Sequence, residues 1–297
     1  MKRILAIHDL SCFGRCALTV VMPIISSMGH QVVPLPTALL STHTGGFDDL
    51  HFRDLTDDME ATVRHFERLG LTFDAIYSGF LGSARQIDIV SDIIRRFGQR
   101  PSRSGGYAER VPVIVDPVMG DDGSLYSTYT DELVAGVGRL CAHAGGTSAC
   151  VITPNLTEAC FLVGRPHPGE LADEEAVCTV AGELCRELFR LYGTRRIVIT
   201  GICTGTTVTN ACFEDGRLNF VSARRLERSF PGTGEVFASV LTGMLTHGAP
   251  LYTAVRAAED FTFRVIEASQ ASPEPSRNGV LLEGQLGLLT KYAAGRV

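Results

Sequence analysis

The chain has 297 residues, 45% hydrophobic and 20% charged, with a net charge of −6. This composition suits a soluble globule with a large core and excludes the clustered Lys and Arg of a broad nucleic-acid surface. A small anionic ligand is still admissible, because one pocket can be rich in backbone N–H groups.

The opening apolar run, Ile4 to Ile7, is too short for a signal peptide or a membrane span. The nine cysteines are odd in number, have no C-x-x-C spacing and lie mostly in apolar runs. They read as reduced core residues of a cytoplasmic protein, not as disulfides or zinc ligands.

Taken in order, the first two thirds alternate short apolar runs with helical periodicity. Strands are expected at Arg3–Ile7, Gln31–Leu35, Asp74–Tyr77, Val111–Val115, Cys150–Ile152 and Arg196–Thr200. Between them, helices are expected at Cys16–Met28, Leu55–Leu69, Ala84–Phe97, Asp131–Cys141, Leu156–Val163 and Glu174–Leu191. Solid apolar strands alternating with helices predict an α/β fold with a mainly parallel central sheet flanked by helices, doubly wound, in one domain over residues 1–297. The pattern then changes. Thr206–Phe213 and Arg217–Ala223 flank Glu214-Asp215-Gly216 and read as an added β-hairpin beside that sheet. Helices follow at Gly234–Thr246 and Tyr252–Ser269, with a short terminal one near Gln285–Tyr292. Gln99–Glu109 is polar and rich in Gly, Ser and Pro, so it reads as a mobile surface loop.

The sharpest chemical signal is Phe230-Pro231-Gly232-Thr233-Gly234-Glu235, just before a strongly apolar helix. Glycines there let a backbone approach a ligand, and free N–H groups at a helix start favour anions. A carboxylate just inside that helix can accept a proton from a substrate hydroxyl while the N–H groups stabilise a phosphoryl group in transfer. The plain alternative is a Gly-rich turn in which Glu235 only complements the helix dipole. Val115-Asp116-Pro117-Val118-Met119-Gly120-Asp121 follows a buried strand, where α/β folds bind ligands, and Asp116 suits Mg²⁺ beside a nucleotide phosphate; a solvated turn is the alternative. In Thr153-Pro154-Asn155-Leu156-Thr157-Glu158, Asn155 and Glu158 have either capping-box spacing or a metal–phosphate role. Ser41-Thr42-His43-Thr44-Gly45-Gly46-Phe47 offers polar groups to a small ring. There is no P-loop G-x-x-x-x-G-K-[ST] and no H-E-x-x-H, and Gly201-Ile202-Cys203-Thr204-Gly205 precedes a strand and so is no nucleophile elbow.

In this order and spacing, His8-Asp9-Leu10-Ser11-Cys12-Phe13-Gly14, STHTGGF, Ser78-Gly79-Phe80-Leu81-Gly82-Ser83, DPVMGD, TPNLTE and PGTGE resemble the pyridoxal kinase family of the ribokinase-like superfamily, over about residues 3–270. STHTGGF with Arg53-Asp54-Leu55-Thr56 is similar to the bacterial pyridoxamine/pyridoxine kinases. The resemblance implies phosphorylation of a B6 vitamer's 5′-hydroxymethyl group by ATP with Mg²⁺, often with a monovalent cation such as K⁺, in a homodimer. It implies Asp9, Thr44 and Phe80 at the pyridine ring. It assigns Asp116, Asn155 and Glu158 to the metal and triphosphate, with Asp116 and Glu158 as metal ligands. Tyr126 covers the nucleotide, which Thr200 and Gly201 approach, and Gly232, Thr233 and Gly234 form the anion hole. Hydroxymethylpyrimidine kinase, with a similar primary alcohol, and a catalytically silent binder of B6 or nucleotide are the competing readings.

One position departs from the family pattern: Glu235 stands where that pattern has the Asp base. Both acids are ionised at neutral pH when unperturbed, but Glu is longer by about 1.5 Å. Weak but measurable turnover is therefore expected, with the loss in kcat, because a misplacement of about 1 Å can cost on the order of 10²-fold.

Overall fold

A computed structural model describes residues 1–102, 107–146 and 149–293. Nine strands build the main sheet: β1 (Lys2–Phe13), β2 (His30–Thr42), β3 (Phe52–Asp54), β4 (Ala75–Ser78), β5 (Val113–Val115), β6 (Cys150–Ile152), β7 (Arg196–Cys203), β8 (Thr207–Glu214) and β9 (Arg217–Arg224). Their spatial order is β9-β8-β7-β6-β5-β4-β1-β2-β3. β2, β1, β4, β5, β6 and β7 run parallel, while β3 and the β8–β9 hairpin are antiparallel at opposite edges. Strand order therefore reverses beside β1, which creates a crevice at the carboxyl ends of β1 and β4.

The helices are α1 (Leu18–Ser27), α2 (Thr56–Arg68), α3 (Ala84–Phe97), α4 (Asp131–Gly145), α5 (Leu156–Val163), α6 (Glu174–Tyr192), α7 (Thr233–His247), α8 (Leu251–Gln270) and a short α9 (Thr290–Ala293). Successive strand residues face opposite sides, and the core divides accordingly. Ile4 and Ala6 of β1 pack with α1, α7 and α8, whereas Leu5 and Ile7 pack with α2 to α6. Burying each such side chain contributes about 1.5–3 kcal/mol. Close approach of α1 and α7 depends on Gly243, where a Cβ would come within 2.4 Å of the Met28 sulfur.

Several boundaries differ from the sequence expectation. α1 starts at Leu18, not Cys16, because Ala17 takes a left-handed φ of 52°. β1 and β2 run on to Phe13 and Thr42, paired with each other beyond the ends of β4 and β5, and β3 extends this ribbon by pairing with Ala38 to Leu40. The ribbon has partly exposed polar positions, so its sequence lacks the apolar run that marks the buried strands. The hairpin turns at Asp215 and Gly216, both at positive φ. The ends of Gln99–Glu109 form a small antiparallel pair with Arg110, and its residues 103–106 lie outside the described residues.

Candidate active site

The parallel strands deliver their following residues to one edge. β4 pairs Ser78 with both Ile7 of β1 and Val115 of β5, so Gly79 and Phe80, and Asp116, leave the sheet beside His8 and Asp9, where β1 runs on paired with β2 alone. The Gly79 amide donates to the Ile7 carbonyl (2.8 Å) and the Asp116 amide to the Ser78 carbonyl (2.8 Å), which extends the ladder past the strand ends. Further along, the Thr153 amide donates to the Val115 carbonyl, and Asn155 bridges to Thr200.

On the β5–β7 side, the contacts of Asn155 and Glu158 are those of the capping reading. They form a complete capping box: Asn155 Oδ1 accepts from the Glu158 amide (2.9 Å) and Glu158 Oε2 from the Asn155 amide (2.8 Å). They also tie in the preceding loop, since Asn155 Nδ2 donates to the Gly120 carbonyl (2.8 Å) and the Met119 amide to Glu158 Oε1 (3.1 Å). Thr157 Oγ1 accepts from the Gly123 amide at 2.9 Å. Thus the short hairpin Gly120–Asp121/Ser124–Leu125 is fastened to the start of α5, and Tyr126 follows it, its amide donating to the Met119 carbonyl. Burial of the phenol, then the charges of Glu158, Asp121, Glu235 and Asp116, push its pKa up, although Tyr126 as a residue is exposed. Gly201 has a positive φ of 69°, and its N–H donates to Asn210 Oδ1 (3.2 Å). That N–H is therefore used within the protein.

Asp116 is buried, and Tyr77 donates to its Oδ2 at 3.3 Å. Burial first, then the negative charge of Glu235, holds the Asp116 carboxyl well above its ordinary pKa; burial and Asp116 do the same to Glu158. Two crowded, desolvated carboxylates are the hard oxygen donors that Mg²⁺ takes, one or two at a time, with phosphate oxygens and water completing the shell. Glu158 keeps a lone pair on each oxygen beyond the bonds it accepts. Among the described residues no group of three or more His, Cys, Asp or Glu forms a self-sufficient metal site. The donor set fits a magnesium ion shared with phosphates and does not fit a dedicated protein cage.

On the β1 side, Gly232 at φ 86° starts α7, and a Cβ there would lie 2.2 Å from the Arg15 carbonyl, so only glycine brings the turn this close to the end of β1. Glu235 lies in the first turn of α7, and its Oε1 is 3.9 Å from Nε2 of His8. His8 Nδ1 contacts Asp9 Oδ1 at 2.8 Å, and Ser11 donates to Asp9 Oδ2 at 2.8 Å. Burial opposes charge on His8, but the Asp9 hydrogen bond and the charges of Asp9, Glu235 and Asp116 outweigh it and raise its pKa; the same His8 contact, working against burial, lowers that of Asp9. Phe80 is buried against Tyr129, at the end of the strand beside His8 and Asp9. Thr44 is exposed in the loop after β2. That loop is fastened by His43, whose Nε2 is 2.7 Å from the Arg277 carbonyl, and by Phe47 against Phe13 and His43.

The structure thus brings Asp9, Phe80, Asp116, Glu158, Asn155, Tyr126 and Glu235 to one edge of the sheet, with Thr44 on the flanking loop. Sequence reading gave no role to His8, Gly79, Tyr77 or Asn210. A His-Asp pair ending a buried strand was the available signal for His8. Gly79 could be found only from its neighbour in space: a Cβ there would overlap the His8 ring, 1.9 Å from Cδ2.

A profile described as phosphomethylpyrimidine kinase matches residues 4–278. A crystal structure with pyridoxal, of a Bacteroides thetaiotaomicron protein provisionally named a phosphomethylpyrimidine kinase, is 39% identical, with a TM-score of 0.85 over 97% of this chain and 95% of that one. The pyridoxine/pyridoxal/pyridoxamine kinase of Bordetella avium is 26% identical, over 90% of this chain and 85% of its own. The hydroxymethylpyrimidine/phosphomethylpyrimidine kinase of Rhizobium meliloti is also 26% identical, over 82% of each.

Proposed function

Because the chain belongs to the phosphomethylpyrimidine kinase family, a family of small-molecule kinases of the pyridoxal kinase type, we propose that it transfers the γ-phosphoryl group of ATP to the 5′-hydroxymethyl group of pyridoxal, pyridoxine or pyridoxamine. The observation that carries this reading is the position of Glu235. It sits in the first turn of α7, directly after the Gly232 turn, with Oε1 3.9 Å from Nε2 of His8, and its charge helps raise the pKa of Asp116. A base there stands beside the backbone N–H groups that would receive the transferred phosphoryl group. The pyridoxal-bound relative, at 39% identity, supports a B6 vitamer over other alcohols.

In this reading Glu235 accepts the proton of the substrate hydroxyl, which requires an approach of about 2.6–3.2 Å. The first N–H groups of α7, at Thr233 and Gly234, have no partner within the helix and stabilise the charge on the phosphoryl oxygens. Asp116 and Glu158 would hold Mg²⁺, which offsets phosphate charge. Asn155, through Gly120, fixes the hairpin that carries Tyr126 over the nucleotide. Asp9 and Thr44 bind the polar substituents of the ring, Phe80 walls it, and Thr200 and Gly201 border the nucleotide.

The hydroxymethylpyrimidine reading draws its support from the Rhizobium relative, whose identity equals that of the Bordetella one. Coupled ADP release with pyridoxal, pyridoxine, pyridoxamine and hydroxymethylpyrimidine separates the readings. The proposal expects slow but saturable turnover of at least one B6 vitamer, with higher kcat/KM than hydroxymethylpyrimidine. Turnover of hydroxymethylpyrimidine alone refutes the substrate assignment. Binding of pyridoxal and ATP without ADP release identifies a silent binder.

A further inference from the structure

We propose that His8 is a positioning residue for Glu235: its imidazole, anchored to Asp9 and housed in the space left by Gly79, holds one carboxylate oxygen of Glu235 so that the other faces the substrate hydroxyl. The proposal rests on the reading of Glu235 as the base and extends it to a residue pair.

Three observations carry it. His8 is 1% exposed, and its Nε2 has no hydrogen-bond partner among the described residues. An unpaired buried ring nitrogen is costly unless a partner comes within reach. Glu235 Oε1 is the nearby candidate, at 3.9 Å, and a closure of about 1 Å makes this a charge-assisted hydrogen bond. The other ring nitrogen is fixed on Asp9, which Ser11 holds in turn, so the ring cannot swing away without breaking that chain. Finally, any side chain at residue 79 would occupy the volume of the His8 ring, since a Cβ there lies 1.9 Å from Cδ2 and 2.3 Å from Nε2. The glycine and the histidine require each other.

The arrangement answers the question of reach. The carbon that makes Glu235 longer than Asp carries its carboxylate toward His8 on β1. A donor at that point fixes the added rotatable bond and leaves one oxygen for the alcohol. The groups that face His8 are Asp9 on its own strand, Tyr77 of β4 at a ring-centroid distance of 6.3 Å, Asp116 after β5 and Glu235 of α7. Glu235 is the member whose carboxylate lies against Nε2. Cys16 lies near both Glu235 and Asp9, and burial keeps its thiol neutral, so it does not compete.

Two measurements test the pair. The first, on resting protein, follows the His8 imidazole by ¹⁵N NMR. Glu235→Gln removes one negative charge and moves the His8 titration midpoint down by about one pH unit; an unmoved midpoint overturns the pairing. The second is ADP release by H8Q made in the wild type and in E235D. Losing the holder lowers kcat about 10- to 100-fold in the wild type, with KM for ATP within about 2-fold. In E235D the loss is under about 3-fold, because the shorter carboxylate stops about 1.5 Å short of the ring. Equal losses in the two backgrounds overturn the positioning role and leave His8 as packing. If the wild type releases no ADP with any B6 vitamer or hydroxymethylpyrimidine while E235Q still shifts His8, the kinase reading fails and the pairing stands. Turnover without the shift has the opposite meaning.

Discussion

On the β5–β7 side of the cleft, Asn155 and Glu158 spend their polar atoms on the protein itself: on each other, on Gly120 and on Met119. On the β1 side, His8 Nε2, Thr42 Oγ1 and Ser78 Oγ are buried with no hydrogen-bond partner among the described residues, and Thr44 stands exposed on its loop. The first side is fastened mainly by its own bonds, with Thr153 Oγ1 its buried exception, unpartnered among the described residues, while the second keeps more such groups beside the bonded His8–Asp9–Ser11 chain. In the proposed reaction the phosphate and metal assigned to the β5–β7 side would be the same in every turnover, so a rigid frame suits them. The alcohol and the base must approach each other, and groups already committed to internal bonds cannot serve that step. The comparison predicts that substitutions on the β5–β7 side act mainly through stability and nucleotide binding, and those on the β1 side mainly through kcat or the KM of the alcohol.

The largest effect is expected at Gly79. Gly79→Ala forces the His8 ring out of its place, and kcat falls on the order of 10²-fold. The overpacking also costs about 1–3 kcal/mol of stability, read by urea titration. A variant with the wild-type kcat breaks the claim that the β1 side depends on the place of His8. Asn155→Ala comes next, on the β5–β7 side. It removes the cap of α5 and the tether to Gly120, so it costs about 1–2 kcal/mol, and the KM for ATP rises about 10-fold while the KM for the alcohol stays. An unchanged melting temperature, with the loss confined to kcat, contradicts the division. The smallest effect is at Thr44. As an exposed residue, its change to Ala leaves stability within about 0.5 kcal/mol, but the KM for the vitamer rises roughly 3-fold, equivalent to about 0.7 kcal/mol, within the range of one net hydrogen bond. A KM for ATP that moves instead places Thr44 on the wrong side of the cleft.

The same contrast explains what the sequence made legible. Strand runs such as Val113–Val115 and Cys150–Ile152 are solidly apolar because both faces are buried, and the carboxylates that follow them are local, contiguous signals. The capping box is likewise written in four consecutive residues. The β1–β2–β3 ribbon is mixed in pattern because it projects past the sheet core, so its length and the antiparallel β3 left no clear period. The relation of His8 to Gly79 and Glu235 was out of reach for another reason. It joins residues distant in the chain through strand register, and register follows only once the strand order is known. The departure at Glu235 was visible as a residue, but its neighbour on β1 was not.

The central claim is that Glu235 is the base of a B6-vitamer kinase, and the direct measurement is ADP release with pyridoxal by the wild type and by Glu235→Gln. Gln keeps the size and loses the proton acceptor, so kcat should fall about 10²- to 10⁴-fold, with the binding of ATP, read by calorimetry, within about 2-fold. If Gln keeps the turnover of Glu, the proton leaves by another route and residue 235 is not the base.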